Sequence, residues 1–158
     1  MIDTKEFTDV TKKLRDFFDE RGFLEVHTQS RLSILAACED PTTVSTFEYS
    51  GEIWPLPQTG QMWLEYELLQ NPDLKGVYCL STSYRQEQQP VIGRHELIFP
   101  MFEFEAPGSF NDLIDLEKSL CAHLGYKQKD FTVGKYMDVV NRFRTDDQIL
   151  TDYHEQVL

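Results

Sequence analysis

GVYCLSTSYRQEQQPVIGRHELIFPMFEFE, residues 76–105, reads as two extended runs joined by a polar loop. The first run, Val77-Tyr78-Cys79-Leu80, is β-branched and aromatic and continues into Ser83-Tyr84-Arg85-Gln86-Glu87. The loop, Gln88 to Gly93, carries Pro90 and Gly93, both turn residues. The second run extends from Leu97 to Glu105. Its Phe102/Phe104 and Glu103/Glu105 alternate, which gives one aromatic face and one acidic face. The pattern predicts an antiparallel strand–loop–strand unit with Arg85, Glu87, Arg94 and His95 at or near its turn.

Such a unit has a definable chemistry. An arginine fork suits a phosphate. A nearby glutamate accepts a hydrogen bond from an amine, and a phenylalanine on the opposite strand offers a stacking face to a flat base. The residues by themselves leave a second reading open, a surface hairpin with solvated charges.

Tyr84-Arg85-Gln86-Glu87, a variable loop, Arg94-His95, Phe99 and then Glu103-Phe104-Glu105 resemble motif 2 of class II aminoacyl-tRNA synthetases. The similar subgroup handles aspartate, asparagine and lysine, and the asparaginyl enzymes fit best. There the pattern is FRxE, a loop, RHxxEF and a hydrophobic–acidic strand. Ile98 stands where the family has a glutamate. The resemblance implies that Arg85 binds the ATP α-phosphate and is the catalytic residue. It places Glu87 at the adenine amine, Arg94 and His95 at the outer phosphates, and Phe99 in a stack on adenine. Glu103 would help fix the ammonium of the amino acid. ATP and Mg²⁺ are the implied cofactors, and no residue is assigned to a resident metal.

The 158 residues suffice for one domain with a core. Hydrophobic content of 41% with 13% aromatics argues against disorder. A net charge of −12 argues against a module that grips nucleic acid by charge alone. It leaves tRNA open as a partner. Cys38, Cys79 and Cys121 are odd in number and far apart, so neither a disulfide framework nor a zinc site is expected. Nothing near Met1 looks like a signal peptide, no apolar run approaches membrane-spanning length, and a cytoplasmic protein is expected.

Asp3 to Arg21 predicts an amphipathic helix with Phe7, Val10, Leu14, Phe17 and Phe18 on one face. Asp3 with Glu6 supplies a capping box and Gly22 the stop. Phe23 to Thr28 alternates like a strand. This helix and strand resemble motif 1, which in the family forms the dimer interface, so a homodimer through residues 3–28 is implied. Gln29 replaces the proline that normally ends the motif. His27 reads as a surface or interface residue.

The segment 32–47 predicts irregular structure. Cys38-Glu39-Asp40 followed by Val44-Ser45-Thr46 resembles the DCEGAGE…VST stretch of asparaginyl enzymes. That likeness gives Glu39 the role of meeting the ammonium from a closing loop. A short hairpin is expected over 48–57, turning at Gly51. Gln58-Thr59-Gly60-Gln61-Met62-Trp63-Leu64-Glu65 then opens a helix to about Gln70 and resembles VSGQLYLE. Gln61 becomes a substrate-binding candidate. Leu64 stands where aspartate enzymes carry a lysine, which favours asparagine over aspartate. Ser109 to Leu124 predicts a helix with Phe110, Leu113, Leu116, Leu120 and Leu124 as its apolar face, and 136–143 and 151–158 predict two short ones. Cys121, His123 and His154 read as structural.

The expectation is an α+β fold, an antiparallel sheet flanked by helices, in a single class II synthetase-like catalytic domain over 1–158 or the N-terminal part of one. No GxGxGxxR-like motif 3 and no anticodon-binding domain are seen. The implied function is ATP-dependent activation of asparagine or aspartate, with tRNA, ammonia or a protein lysine as acceptor. The alternative is a non-catalytic relative that binds nucleotide or amino acid as a sensor or dimerisation partner.

Overall fold

The computed structural model describes residues 2–28, 36, 38–127, 129, 131–143, 149–151, 153–154 and 157. The chain forms two compact units, Met1–Leu116 and Glu117–Leu158. The first holds every candidate site residue.

Its frame is a three-stranded sheet in the order β1 (Leu24–Glu25), β4 (Val77–Tyr84), β5 (Ile98–Glu105). The hairpin of the motif 2 stretch is present. β4 and β5 pair antiparallel, with Val77 opposite Glu105 and Ser83 opposite Phe99. The expected antiparallel pairing holds there and in β2 (Thr46–Tyr49) with β3 (Glu52–Pro55). β1 departs from it by joining β4 in parallel, and its ladder is two residues rather than the six expected. Pro100 lies in β5, at the sheet edge, where a residue without an N–H costs no ladder bond on the outer side. Ser50 and Gly51 both have positive φ, 54° and 80°, as a two-residue hairpin turn between β2 and β3 requires.

The period of two divides the sheet chemically. On one face, Phe18 of α1 (Thr4–Asp19) sits 4.9–5.6 Å, ring to ring, from Phe23, Tyr78, Phe102 and Phe104. Burying one such phenylalanine contributes about 1.5–3 kcal/mol. Tyr78 donates to Asp19 at 2.7 Å, and Arg15 forks onto Glu25, so polar ties frame the aromatic contact. Asp3 caps the helix by accepting the Glu6 N–H, and Gly22 leaves it at φ +78°. One expectation fails here. Val10 is exposed and Thr11 is buried instead. The buried stripe runs 7, 11, 14, 18, and Val10 falls at its edge. Thr11 is tolerated inside because its hydroxyl donates to the Phe7 carbonyl at 2.8 Å.

On the other face, α2 (Gln61–Gln70) packs through Leu64 onto Val77 and Cys79, all three fully buried. α3 (Phe110–His123) starts from a reciprocal Ser109–Asp112 cap. Its expected apolar face is not buried: no residue of the helix is, and Phe110 is 74% exposed. Helical spacing creates an apolar stripe but does not supply a surface to cover it. In the second unit, α4 (Tyr136–Phe143) buries Val140, and Phe143 stacks on His154 at 4.7 Å, which suits the structural reading of that histidine. The helix expected over 151–158 lies largely outside the described residues.

Candidate active site

The α2-facing side of the hairpin carries the candidate residues. Residues 99, 103 and 105 of β5 share that face with Ser81 and Ser83 of β4. Arg85 continues the alternation one residue beyond β4, and its N–H donates to the Leu97 carbonyl at 2.8 Å. Phe99 and Glu103 lie four residues apart, about 13 Å along the strand.

At the turn end, the Arg85 guanidinium lies 5.4 Å from the centroid of the Phe99 ring. Its Nε is buried and has no hydrogen-bond partner among the described residues. A buried N–H without an acceptor is costly, and it is satisfied when an anion arrives. Glu87 and His95 pair across the loop, Oε2 to Nδ1, at 2.7 Å. Arg94 is exposed on that loop, which turns through Gly93 at φ +82°. The phosphate and base candidates therefore gather at one end of the hairpin.

The amino-acid candidates gather at the other. Glu103 is the centre of a donor cradle. Its carboxylate accepts from the Thr59 hydroxyl, from the Gly60 N–H at 2.6 Å and from the Ser81 hydroxyl at 3.1 Å. Gly60 is the N-cap of α2 and has no side chain to close the helix, so Glu103 caps it from another strand. Gly60 is also needed for its size. A Cβ there would meet Cys79 Sγ at 2.7 Å. The Cys79 thiol is pushed up to about 12, by burial first and by the Glu103 charge second.

Gln61 does not cap the helix. Its Nε2 donates to Glu65 at 2.8 Å, and its Oε1 accepts from the Cys38 thiol at 3.1 Å. Gln61, Leu64, Glu103 and Glu105 border a cavity of about 210 Å³. Glu105 is raised above the ordinary carboxylate range by burial, then by the charges of Glu65 and Glu103. Leu64 is closed into the core, so it shapes the wall of this region rather than offering a polar contact. Glu39 lies half-buried in the preceding loop and accepts the Ala36 N–H at 2.7 Å.

Sequence reasoning passed over Gln58, Thr59, Ser81 and Ser83. One signal is present: Ser81 and Ser83 alternate along β4 and so share the face of Val77 and Cys79, where a hydroxyl needs a polar partner. Among the described residues no group of three or more His, Cys, Asp or Glu is placed to hold a metal ion. No helix among the described residues is long and apolar enough to cross a membrane.

Arg85 thus lies beside Phe99 at one end of the β-hairpin, and Glu103 caps α2 at the other. The chain belongs to the class II tRNA synthetases (D, K and N), whose pattern it matches over residues 4–148. Within that class its matched relatives are asparagine–tRNA ligases. It is 34% identical over 118 residues to that of Pelotomaculum thermopropionicum, covering 74% of this chain and 26% of the relative. It is 36% identical over 114 residues to the cytoplasmic one of Mus musculus, covering 71% and 19%. The fold is similar to asparaginyl-tRNA synthetase of Entamoeba histolytica in complex with asparaginyl-adenylate. There the TM-score is 0.72 and identity 22%, with 92% of this chain and 35% of that one covered. The Pyrococcus horikoshii enzyme with the same adenylate gives a TM-score of 0.61 and 24% identity over 72% and 25%. The chain thus spans about a fifth to a quarter of the length of these curated relatives.

Proposed function

We propose that this chain activates asparagine with ATP, as the catalytic domain, or its N-terminal part, of an asparaginyl-tRNA-synthetase-like enzyme. The substrate carboxylate oxygen attacks the α-phosphorus. The bond from that phosphorus to the bridging oxygen breaks, and pyrophosphate leaves with the electron pair. No proton need be removed from a carboxylate, so positioning and charge neutralisation carry the step. Arg85 neutralises the α-phosphate and is the catalytic residue. Phe99 stacks on adenine, Glu87 accepts from its amine, and Arg94 and His95 draw on the outer phosphates. Glu39, Gln61 and Glu103 hold the amino acid. Mg²⁺, when bound, supplies further neutralisation of the departing pyrophosphate. A homodimer through residues 3–28, tRNA as acceptor and a cytoplasmic site of action complete the proposal.

The observation that carries it is the buried Arg85 Nε, unpartnered beside Phe99, on the face shared with Glu103. The names of the matched relatives support asparagine over aspartate, as does Leu64 in place of a lysine. The test is ATP–pyrophosphate exchange on the folded chain, with asparagine and aspartate supplied separately. Asparagine-dependent exchange is expected. ATP binding without exchange would replace this reading with the non-catalytic one.

A further inference from the structure

We propose that Gln58 is a positioning residue: its side-chain amide holds the loop carrying Glu39 to the strand that leads to Arg85, and so sets the amino-acid subsite. The proposal rests on the reading of Glu39 as the group that meets the ammonium.

Gln58 is 3% exposed, deeper than any other glutamine among the described residues. A buried carboxamide is costly unless its donors and acceptor are used. Here they are. Oε1 accepts the Asp40 N–H at 2.9 Å, and Nε2 donates to the Asp40 carbonyl at 3.1 Å and to Thr43 Oγ1 at 2.9 Å. One side chain therefore engages both backbone groups of Asp40, as the opposite residue of an antiparallel ladder would. The Asp40 side chain does not anchor the loop, because it is turned inward to the Thr42 N–H and hydroxyl.

The backbone of Gln58 faces the sheet. Its carbonyl accepts the hydroxyl of the fully buried Ser83 at 2.8 Å. The preceding Pro57 carbonyl accepts the Tyr84 N–H, and the Gln86 N–H donates to the Thr43 carbonyl, both at 2.9 Å. Bonds thus run from Asp40 through Gln58 to Ser83, and from the adjoining Pro57 to Tyr84, the two residues before Arg85. On its other side Gln58 adjoins Thr59, which donates to Glu103. Glu39 is the residue before the pinned Asp40. The Glu39 carboxylate is turned onto the Ala36 N–H within its own loop, so the hold on Asp40 sets where that loop, and the carboxylate with it, sits against the sheet.

The chemistry selects glutamine. Glutamate keeps an acceptor for the Asp40 N–H but loses both donations and sets its charge against two oxygens. Methionine matches the length and makes none of the three bonds.

The experiment uses the full chain with Gln58→Met, Gln58→Glu and, as a reference, Glu39→Ala. Asparagine KM and ATP KM are measured by exchange, and amide hydrogen exchange is followed at Asp40 and along Val77–Tyr84. Losing three hydrogen bonds in Gln58→Met, and two in Gln58→Glu with a charge set against two oxygens, predicts at least about a tenfold rise in asparagine KM in both variants. ATP KM stays within about twofold, Asp40 loses protection in Gln58→Met, and the strand keeps its protection in both. An unchanged asparagine KM with Asp40 still protected overturns the proposal. So does an equal rise in both KM values with loss of strand protection, which marks a merely structural role. An unchanged KM in Glu39→Ala removes Glu39 from the pocket and overturns the functional half; Asp40 protection then decides the loop-holding half by itself.

Discussion

Replacing Gly60 by alanine tests how tightly α2 is seated on the sheet. The added methyl would lie 2.7 Å from Cys79 Sγ, 3.0 Å from Thr28 Cγ2 and 3.2 Å from Glu103 Oε2. The backbone offers no excuse for the cost, because Gly60 sits at φ −90°, ψ −2°, which alanine also adopts. Cys79 is fully buried in the ladder of β4 and cannot swing away as a surface side chain would. Overpacking of this kind costs about 1–3 kcal/mol. At this chain length each kcal/mol lowers Tm by about 2–4 °C, so a cost near the middle of that range is a drop of about 4–8 °C.

The assay is thermal and urea unfolding of Gly60→Ala, Cys79→Ala and the double variant. Cys79→Ala deletes one buried atom, and about 0.5–1.5 kcal/mol is expected from it. It also removes the atom that the new methyl strikes. The double variant should therefore be less destabilised than the sum of the singles, with a coupling of about 0.5–3 kcal/mol. The Cys79 thiol, pushed up to about 12, stays protonated through neutral pH and adds no charge effect. Additivity within about 0.3 kcal/mol, or a Gly60→Ala cost below about 0.5 kcal/mol, would refute the close approach as the reason for this glycine.

Two further outcomes are expected. Glu105 is raised by burial and by Glu65 and Glu103, so what it contributes to stability is full below the ordinary carboxylate range and lost as pH rises through its raised folded value. Glu105→Gln should then raise Tm at pH 7 and give no gain at about pH 3, where the carboxyl is protonated in both states; equal gains at both would count against the charge argument. Arg85→Ala should lower the exchange rate by about 100-fold or more while leaving Tm nearly unchanged, since the lost ring contact is offset by removal of an unsatisfied donor. Unaltered exchange would take Arg85 out of the site.

What the sequence made legible follows from the range of the signal. Phe102 and Phe104 fall on one face and Glu103 and Glu105 on the other because a strand alternates, whatever surrounds it. Asp3, Gly22, Ser109 and the Ser50-Gly51 turn act within a few residues of themselves, and each does what its neighbours predict. Gln58 and Thr59 are invisible for the opposite reason. Their partners lie 18 and 44 residues away, and no local period records such a pairing. Thr11 displaced Val10 for a mixed reason: the helix period was read correctly, but a hydroxyl bonded to its own helix can occupy an interior position that polarity alone would deny it.

The same distinction separates the two ends of the site. Glu103 serves the fold before it serves any ligand. A carboxylate offers about four lone-pair positions; Thr59, Gly60 and Ser81 take three, and the Cys79 thiol makes a weaker approach at 4.0 Å. An arriving ammonium would find the carboxylate fixed and oriented, and would need little rearrangement to meet it. On the proposed reading, changing Glu103 would disturb the start of α2 and the affinity for an amino acid together. Arg85 stands in the opposite condition. Its buried Nε has no hydrogen-bond partner among the described residues, and on the proposed reading an anion at the turn end of the hairpin would supply one. The proposed amino-acid end is thus supported by bonds the fold itself requires, and the proposed phosphate end holds a donor with a bond still to be made. A residue whose hydrogen-bonding capacity is unused in the folded chain is the one whose reason for being there has to be sought in a ligand.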